Sequence, residues 1–460
     1  MLSKEHIQDL KLNNTESIVE LVRNNSTNSG NLVFILENLG HLPNNYDGSW
    51  LLELTKNKSS QVRELAVKNI AKLTQTDYVE ILKDILKTDA DTAVRREAVS
   101  AIGRMRDIKN KSILFEILND KDPKIVCQAI RGLLVFKKNE EIEYKLKPLV
   151  NHENETVRTI IYREYFAKEQ NNPNTPVHSN VSEHLKNLVV NGDVREVLKL
   201  VPDESLHLTF TSPPYYNARD YSIYPSYEAY LNFLEQVFLE TFRVTKEGRF
   251  LIVNTSPIII PRISRSHSSK RYPIPFDLHP LLVKMGWEFI DDIVWLKPEY
   301  SVKNRIGGFQ QHRKPLAYKP NPVTEYLMVY RKHTDKLLDW NIKQYDFKTV
   351  KESKVPIGFE TTNVWKIDPK FDKIHSAVFP TELCKRVIQY YSFKNDLVFD
   401  PFAGSGTLGR TAKSLGRFFF LTEQESVYFE YMKSFLKKDS LFNEKSTKFL
   451  SLSEFEETIK

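Results

Sequence analysis

Apolar residues in the first third of the chain recur in groups that repeat along the sequence. Four segments align: SQVRELAVKNIAKL from residue 60, TAVRREAVSAIGRM from 92, PKIVCQAIRGLLVF from 123 and ETVRTIIYREYF from 155. Their matching apolar positions, Val62, Val94, Ile125 and Val157, are 32, 31 and 32 residues apart. Apolar stretches with helical spacing, such as YVEILKDILK and SILFEILND, fill the intervals. This period, with two helices in each repeat, predicts a solenoid of paired helices.

The Val-Arg pair after a short turn containing Asp or Ser resembles HEAT repeats, although the period is shorter than the roughly 40 to 47 residues usual for that class. Residues 1–48 also have a helical pattern, which we interpret as a degenerate capping repeat. We therefore predict an all-α HEAT-like domain over residues 1–166. Such a solenoid offers a concave binding surface or serves as a scaffold, and the sequence favours neither role.

The pattern changes after the repeats. Residues 167–183 include the Asn-, Pro- and Ser-rich stretch AKEQNNPNTPVHSN and are predicted to be a linker. Over residues 184–460, short β-rich runs alternate with amphipathic stretches, which predicts a Rossmann-like α/β fold with a mostly parallel sheet. We expect seven strands, in NLVVNGD, LHLTFTSPP, RFLIVNT, IDDIVWLKP, EYLMVYRK, DLVFDPFAG and RFFFLTEQ. The clearest helical patterns are YEAYLNFLEQVFLETFRV, FDLHPLLVKMG, TELCKRVIQYYS and VYFEYMKSFLKK.

Composition narrows the class of protein. A chain of 460 residues with 41% hydrophobic and 27% charged residues is expected to form two or three soluble domains. No apolar run approaches the roughly 20 residues of a membrane helix, and the N-terminal segment lacks a signal-peptide core, so we expect a cytoplasmic location. Two cysteines without paired spacing, Cys127 and Cys384, argue against disulfides and a cysteine-based zinc site, and no Pro-Cys pair supplies a thiolate nucleophile.

Positive charge is concentrated in two segments. Residues 1–170 hold 26 basic and 25 acidic residues, so almost all of the net charge of +7 belongs to residues 171–460. Residues 261–271 carry four basic residues and no acid, and residues 297–320 carry six basic residues and one acid. Charge runs are often solvated loops, but two in one otherwise acidic domain favour a polyanionic partner, and nucleic acid is the first candidate.

A glycine-containing turn follows one predicted strand. In LVFDPFAGSGTLGRTAKSLG, Asp400 ends the strand, Gly404 and Gly406 allow a tight turn, and a helix is predicted to begin near Thr407. Glu423 ends the next strand, where an acid can accept both hydroxyls of a ribose. A dinucleotide fits this spacing too, but a carboxylate at the head of the turn repels a pyrophosphate and suits an ammonium group. S-adenosyl-L-methionine satisfies both acids; the alternative is a strand-turn-helix without a ligand.

A second strand is followed by TSPPYY, residues 211–216. Together with DPFAGSGT, this motif resembles the DNA amino-methyltransferases that modify cytosine N4 or adenine N6, in the beta-class order with the catalytic motif before the cofactor loop. NGD, DDIVWLKP, NPVTEYLMVYRK and HSAVFPTELCKRVI match further parts of the family, so the resemblance covers about residues 187–437. It implies a methyltransferase that uses S-adenosyl-L-methionine and requires no metal.

The resemblance also implies roles for individual residues. Ser212 Oγ and the Pro213 carbonyl accept hydrogen bonds from the target amine, and Pro214 stiffens the turn. Tyr215 stacks on a base that is flipped out of the duplex. Ser212 alone could equally be an ordinary turn serine. Tyr216 and Tyr221 form the pocket wall or are packing residues. The implied cofactor contacts, besides Asp400 and Glu423 with the glycine turn, are Asp193, Phe379, Pro380, Phe402 and Thr407.

The family places target recognition between DDIVWLKP and TEYLMVYRK, here residues 298–322, and a second variable stretch, residues 332–362, is expected to share the task, so the recognition region spans about residues 298–362. Arg and Gln side chains there are suited to reading guanine and adenine edges. The DNA-binding candidates are Arg219, Lys303, Arg305, Gln310, Arg313 and Lys314.

These inferences combine into one prediction. The chain is expected to be a DNA methyltransferase acting on cytosine N4 in duplex DNA, within a restriction-modification or defence context and with a restriction endonuclease or other protein as a partner of the HEAT-like domain. Cytosine is preferred because Ser-Pro-Pro-Tyr is the form more typical of that target. The alternatives are adenine N6 methylation, RNA methylation, or an inactive module that binds nucleic acid or protein.

Overall fold

A computed structural model provides the coordinates. It describes residues 2–13, 15–42, 46–73, 78–166, 178–217, 223–260, 264, 266–267, 269–302, 315–316, 320–370, 379–436 and 447–459. Residues 1–170 and 171–460 form two compact units. Within the described ranges, no helix is both long enough and apolar enough to cross a membrane.

The first unit is entirely helical in its described residues. Its α-helices are α1 (Lys4–Asn13), α2 (Thr15–Asn24), α3 (Ser29–Asn38), α4 (Ser49–Leu54), α5 (Ser60–Ile70), α6 (Val79–Thr88), α7 (Thr92–Arg104), α8 (Lys111–Ile117), α9 (Pro123–Leu134), α10 (Glu140–Leu146) and α11 (Glu155–Tyr165). The four aligned apolar positions of the repeats lie on α5, α7, α9 and α11, and all four side chains are fully buried. The repeat period therefore marks the helices that form the core.

Ion pairs connect successive repeats. Arg63 of α5 pairs with Asp89, which lies just before α7, at 2.8 Å. One repeat later, Arg96 of α7 pairs with Asp122 at 2.7 Å. Asp122 also caps α9, because its side chain accepts a hydrogen bond from the Lys124 backbone amide. These arginines thus fix each helix to the turn that starts the next repeat.

The second unit is an α/β structure. Its strands are β1 (Leu188–Asn191), β2 (Leu206–Thr211), β3 (Thr245–Thr255), β4 (Ile258–Ile260), β5 (Lys270–Tyr272), β6 (Trp287–Leu296), β7 (Thr324–Lys332), β8 (Val364–Lys366), β9 (Leu397–Asp400), β10 (Phe418–Glu423) and β11 (Lys448–Ser451). Its α-helices are α12 (Val194–Lys199), α13 (Tyr227–Val244), α14 (Ile274–Met285), α15 (Leu338–Ile342), α16 (Phe347–Glu352), α17 (Thr381–Tyr391), α18 (Thr407–Ser414), α19 (Ser426–Leu436) and α20 (Leu452–Ile459).

The main sheet has the strand order β11-β1-β10-β9-β2-β3-β7-β6-β8. The pairs from β11 to β3 are parallel, β7 is antiparallel to both of its neighbours, and β8 is parallel to β6. The α/β, mostly parallel prediction is confirmed, but the count of seven strands is wrong because the described sheet has nine. The two missed strands, β8 and β11, are the sheet's edges and have only three and four residues, too few for a periodic pattern.

Successive side chains along each strand point to opposite faces of the sheet, and the apolar ones pack against helices on both faces. Val189 of β1 packs in a cluster with α17, α18 and α19. Its neighbours Leu188 and Val190 point to the opposite face, where α12, α13 and α20 contribute. Cys127 and Cys384 are buried in α9 and α17. With both faces covered, the ends of the strands are the places where polar side chains can reach a ligand.

Candidate active site

Four neighbouring parallel strands end at one edge of the sheet. In the order β1, β10, β9 and β2, their last residues are Asn191, Glu423, Asp400 and Thr211. Because the strands are parallel, these residues and the loops that follow them converge on one region. The glycine turn after β9 and the Ser-Pro-Pro-Tyr turn after β2 are therefore brought together.

Asp400 links the two turns. Its Oδ1 atom accepts a hydrogen bond of 2.7 Å from the Thr211 hydroxyl, 189 residues away in sequence, and one of 3.0 Å from the Phe402 backbone amide. Burial raises the pKa of Asp400 to about 7, although both hydrogen bonds act to lower it. Without a ligand, the carboxyl is therefore partly protonated at neutral pH.

Glu423 organises the glycine turn. Its carboxylate accepts 2.8 Å hydrogen bonds from the backbone amides of Gly404 and Glu425. Burial nevertheless raises its pKa. Gly404 and Gly406 have φ angles of 52° and 70°, in the left-handed region where glycine is favoured. A Cβ atom on Gly406 would lie 2.8 Å from the Met432 sulfur, so a side chain there would require Met432 to move as well as straining the backbone.

These two acids fit a cationic ligand. Among the described residues, the interactions that shift the pKa of Asp400 include no basic side chain. A buried carboxylate without a cation is energetically unfavourable, and a positively charged ligand removes that penalty. The Glu423 oxygens accept backbone hydrogen bonds from Gly404 and Glu425, and a carboxylate with about four lone-pair sites can also accept a hydroxyl group. The residues present thus suit the ammonium and ribose groups of S-adenosyl-L-methionine.

Of the remaining predicted cofactor residues, Phe402 and Thr407 lie in the segment of the glycine turn, and Phe379 and Pro380 precede α17. Thr407 begins α18, is buried, and has its hydroxyl 3.1 Å from that of Ser405. Phe379 stacks on Phe210 of β2 with ring centroids 4.5 Å apart, and Pro380 precedes the first residue of α17. Phe402 is partly buried beside Phe233, at 6.0 Å between ring centroids.

Asp193 has partners within the protein. It caps α12 by accepting a 2.9 Å hydrogen bond from the Arg195 amide, and the Arg195 guanidinium pairs with its carboxylate at 2.6 Å. Burial alone would raise the pKa of Asp193, but the hydrogen bonds from Arg195 lower it below the usual value. Its predicted contact with the adenine of the cofactor stays a prediction.

The Ser-Pro-Pro-Tyr turn is held by side chains from other strands. The Asn254 amide nitrogen, at the end of β3, lies 3.5 Å from Ser212 Oγ. Tyr215 donates its hydroxyl to Glu325 of β7 at 3.2 Å. Burial of that hydroxyl, followed by the Glu325 charge, holds the pKa of Tyr215 well above its usual range, although the residue as a whole is only partly buried.

Comparison with known proteins identifies the second unit. A family model described as DNA methylase matches residues 206–434. M.ScaI, a Type II methyltransferase of Streptomyces caespitosus, is 30% identical over 241 residues, which are 50% of this chain and 74% of M.ScaI. The chain belongs to the N6/N4 DNA methylase family. S-adenosyl-L-methionine is therefore its cofactor, as predicted.

The chain spans different shares of its other relatives. M.BslI of Bacillus sp. (strain NEB-606), named a Type II beta methyltransferase, is 29% identical over 254 residues, which cover 53% of the methylase and 27% of M.BslI. The solved structure of TTHA0409 from Thermus thermophilus has 27% identity and a TM-score of 0.46, and covers 58% of this methylase and 99% of that chain. A HEAT repeat model matches residues 48–134, which confirms the HEAT-like repeats.

Three residues that contact or support the Ser-Pro-Pro-Tyr turn were missed in the sequence. They are Asn254, Lys297 and Glu325, and Lys297 and Glu325 form an ion pair of 2.6 Å between Nζ and Oε1. Lys297 and Glu325 do lie in the matching segments DDIVWLKP and NPVTEYLMVYRK. Their convergence depends on the register of β6 and β7, which the sequence pattern does not provide.

The structure places one further predicted residue, Tyr216, and leaves several others outside its described part. Tyr216 is a packing residue: it is buried among Tyr227, Tyr230 and Tyr272, with ring centroids 4.9 to 5.8 Å away. The residues predicted here that lie outside the described part of the chain are Arg219, Tyr221, Lys303, Arg305, Gln310, Arg313 and Lys314.

Proposed function

We propose that this DNA methylase transfers the methyl group of S-adenosyl-L-methionine to the exocyclic amine of a base in duplex DNA. The observation that carries the proposal is the 2.7 Å hydrogen bond between Thr211 and Asp400. It joins the strand that precedes the Ser-Pro-Pro-Tyr turn to the strand that precedes the glycine turn. An acceptor base and a cofactor held by these turns lie next to each other, as methyl transfer requires.

The Ser-Pro-Pro-Tyr turn suits an amine as methyl acceptor. An exocyclic amine is a poor nucleophile because its lone pair is delocalised into the ring. Ser212 Oγ and the Pro213 carbonyl accept hydrogen bonds from the two N–H groups of the amine, and this directs the nitrogen lone pair away from the ring. The two prolines fix these acceptors at low entropic cost. The bound cofactor supplies an electrophilic methyl group, and the protein supplies position and hydrogen-bond acceptors.

A paired base cannot reach this turn from within a duplex, so the target base is flipped out. Tyr215 provides a stacking surface for it, and the Glu325 hydrogen bond fixes the position of the Tyr215 hydroxyl. Arg219 and the basic residues of the recognition segment, about residues 298–362, hold the surrounding phosphates and read base edges.

The cofactor is assigned to the glycine turn. Asp400 binds its ammonium group and Glu423 its ribose hydroxyls, while Gly404 and Gly406 allow close backbone approach. The further contacts are those of Asp193, Phe379, Pro380, Phe402 and Thr407. The raised pKa of Asp400 and its lack of a basic partner among the described residues support this assignment.

Cytosine N4 is the preferred target, because the serine form of the Ser-Pro-Pro-Tyr motif is the one more typical of that base. Adenine N6 is the second candidate. The names of M.ScaI and M.BslI as Type II methyltransferases support a restriction-modification role. Within such a system, the HEAT-like unit serves as the docking site for a partner protein such as a restriction endonuclease.

The proposal is tested by following the label from tritiated S-adenosyl-L-methionine. The protein is incubated with mixed-sequence unmethylated duplex DNA, with RNA, or without nucleic acid. Label in DNA, released as a methylated cytosine nucleoside, supports the proposal, and N6-methyladenine selects the second candidate. Label only in RNA or in protein contradicts both.

A further inference from the structure

Glu325 collects hydrogen bonds from three different parts of the sheet. Its Oε2 atom accepts one of 2.7 Å from the Asn254 amide on β3 and one of 3.2 Å from the Tyr215 hydroxyl after β2. Its Oε1 atom accepts one of 2.6 Å from Lys297, which follows β6. The side chains of Glu325 and Lys297 are only 15% and 14% exposed. This small network thus lies directly behind the Ser-Pro-Pro-Tyr turn.

The ionised carboxylate determines which way the Asn254 amide faces. An ionised carboxylate only accepts hydrogen bonds, so the amide must turn its NH₂ group toward Glu325. The same nitrogen lies 3.5 Å from Ser212 Oγ. The amide oxygen is consequently directed away from Glu325. Asn254 is 2% exposed, and its Oδ1 atom has no hydrogen-bond partner among the described residues.

A buried amide oxygen without a partner is uncommon, because the lost hydrogen bond to water is not replaced. Such an atom beside Ser212 suggests an acceptor whose donor arrives with the substrate. An exocyclic amine brings two hydrogens, and an amine placed at Asn254 Oδ1 could also donate a hydrogen bond to Ser212 Oγ. Lys297 Nζ lies 2.6 Å from Glu325 Oε1, so the other carboxylate oxygen, Oε2, is the one that faces Asn254.

We infer that Glu325 is a positioning residue for methyl transfer, acting through Asn254. By holding the amide nitrogen, it leaves Asn254 Oδ1 free to accept, together with Ser212 Oγ, a hydrogen bond from one N–H of the target amine, while the Pro213 carbonyl accepts the other. Lys297 maintains this arrangement by neutralising Glu325. The inference rests on the proposed function, since it assigns Asn254 and Glu325 to the acceptor side of the same site.

The test uses Glu325→Gln, Asn254→Leu and the double variant, all in the full chain. The rate of label transfer from S-adenosyl-L-methionine to mixed-sequence duplex DNA is measured with both substrates saturating. Cofactor affinity and thermal unfolding are measured in parallel. Glu247→Gln is the matched control, because Glu247 also accepts hydrogen bonds from a lysine and a hydroxyl, those of Lys336 and Thr334, at the opposite end of β3.

Each single variant at the site is expected to reduce the transfer rate about 10- to 100-fold, the effect of one hydrogen bond to a charged group. Cofactor affinity stays within about threefold of the wild type, and Glu247→Gln retains the wild-type rate. The rate of the double variant is expected to lie within about threefold of the rate of Asn254→Leu, because the effects of coupled residues are not additive.

Three results would overturn the inference. Glu325→Gln could transfer methyl groups at the wild-type rate, the losses of the single variants could multiply in the double variant, or Glu247→Gln could lose as much rate as Glu325→Gln. All three leave the wild-type enzyme active and so leave the proposed function intact. A wild-type chain that transfers no methyl group to DNA overturns the proposed function, and this inference with it.

Discussion

Asp400 carries a destabilising charge in the absence of a ligand. Its pKa of about 7, raised by burial, lies well above that of an aspartate in an unfolded chain. As the pH rises, the unfolded state releases this proton first. The free energy of unfolding therefore falls between about pH 4 and pH 7 because of this one group, and the loss is complete above that range. Such a cost to stability is typical of a buried acid whose role is to bind a cation.

Asp400→Asn should therefore stabilise the ligand-free protein at pH 8, by about 2 to 4 kcal/mol, and by clearly less at pH 5. The same variant should bind S-adenosyl-L-methionine at least about tenfold more weakly, because a charge-assisted hydrogen bond is lost. Thermal unfolding at the two pH values and calorimetric titration with the cofactor measure both effects. Glu228→Gln, an exposed acid on α13, serves as the control. A stabilisation by Asp400→Asn that does not grow with pH would show that Asp400 is ionised in the folded protein throughout.

At the scale of elements, the sequence predicted the long periodic segments well. Helix α13 coincides with the stretch YEAYLNFLEQVFLETFRV, and all seven predicted strands are present in the sheet. The edge strands β8 and β11 were missed because three or four residues contain no measurable alternation. The glycine turn and the Ser-Pro-Pro-Tyr turn were predicted to be functional because each motif is contiguous. Asn254, Lys297 and Glu325 were not, because they converge only through the antiparallel register of β7 with β3 and β6.

The crossing of α7 and α9 depends on two glycines. A Cβ atom on Gly103 would lie 2.9 Å from the Cα atom of Gly132, which is backbone and cannot move independently. Gly103→Ala should therefore destabilise the HEAT-like unit by about 1 to 3 kcal/mol, measured by chemical denaturation. Gly30→Ala in α3 is the control: its Cβ atom would come no closer than 3.4 Å to another atom, so the higher helix propensity of alanine should leave stability unchanged or slightly increased. Equal losses in the two variants would contradict close packing at the crossing.

For the whole molecule, the distribution of charge separates the two units. Residues 1–170 are nearly neutral, and residues 171–460 carry almost all of the net positive charge. Phosphate contacts release counterions, so the dependence of DNA affinity on salt counts those contacts. Because we propose that the HEAT-like unit docks a protein, deleting residues 1–170 should leave the slope of log affinity against log salt unchanged. If the deletion makes the slope shallower by an amount that corresponds to two or more phosphate contacts, the HEAT-like unit binds DNA instead.

The central claim is that the Ser-Pro-Pro-Tyr turn and the glycine turn form one site for methyl transfer to a DNA base. It is tested most directly by mass spectrometry of nucleosides from duplex DNA treated with wild-type protein or with Ser212→Ala, with cofactor affinity measured for both. We expect N4-methylcytosine in DNA treated with the wild type and about 100-fold less N4-methylcytosine in DNA treated with Ser212→Ala. The two proteins are expected to bind the cofactor with similar affinity. It is contradicted if the wild type leaves no methylated base in DNA, or if Ser212→Ala loses cofactor binding and transfer to the same extent.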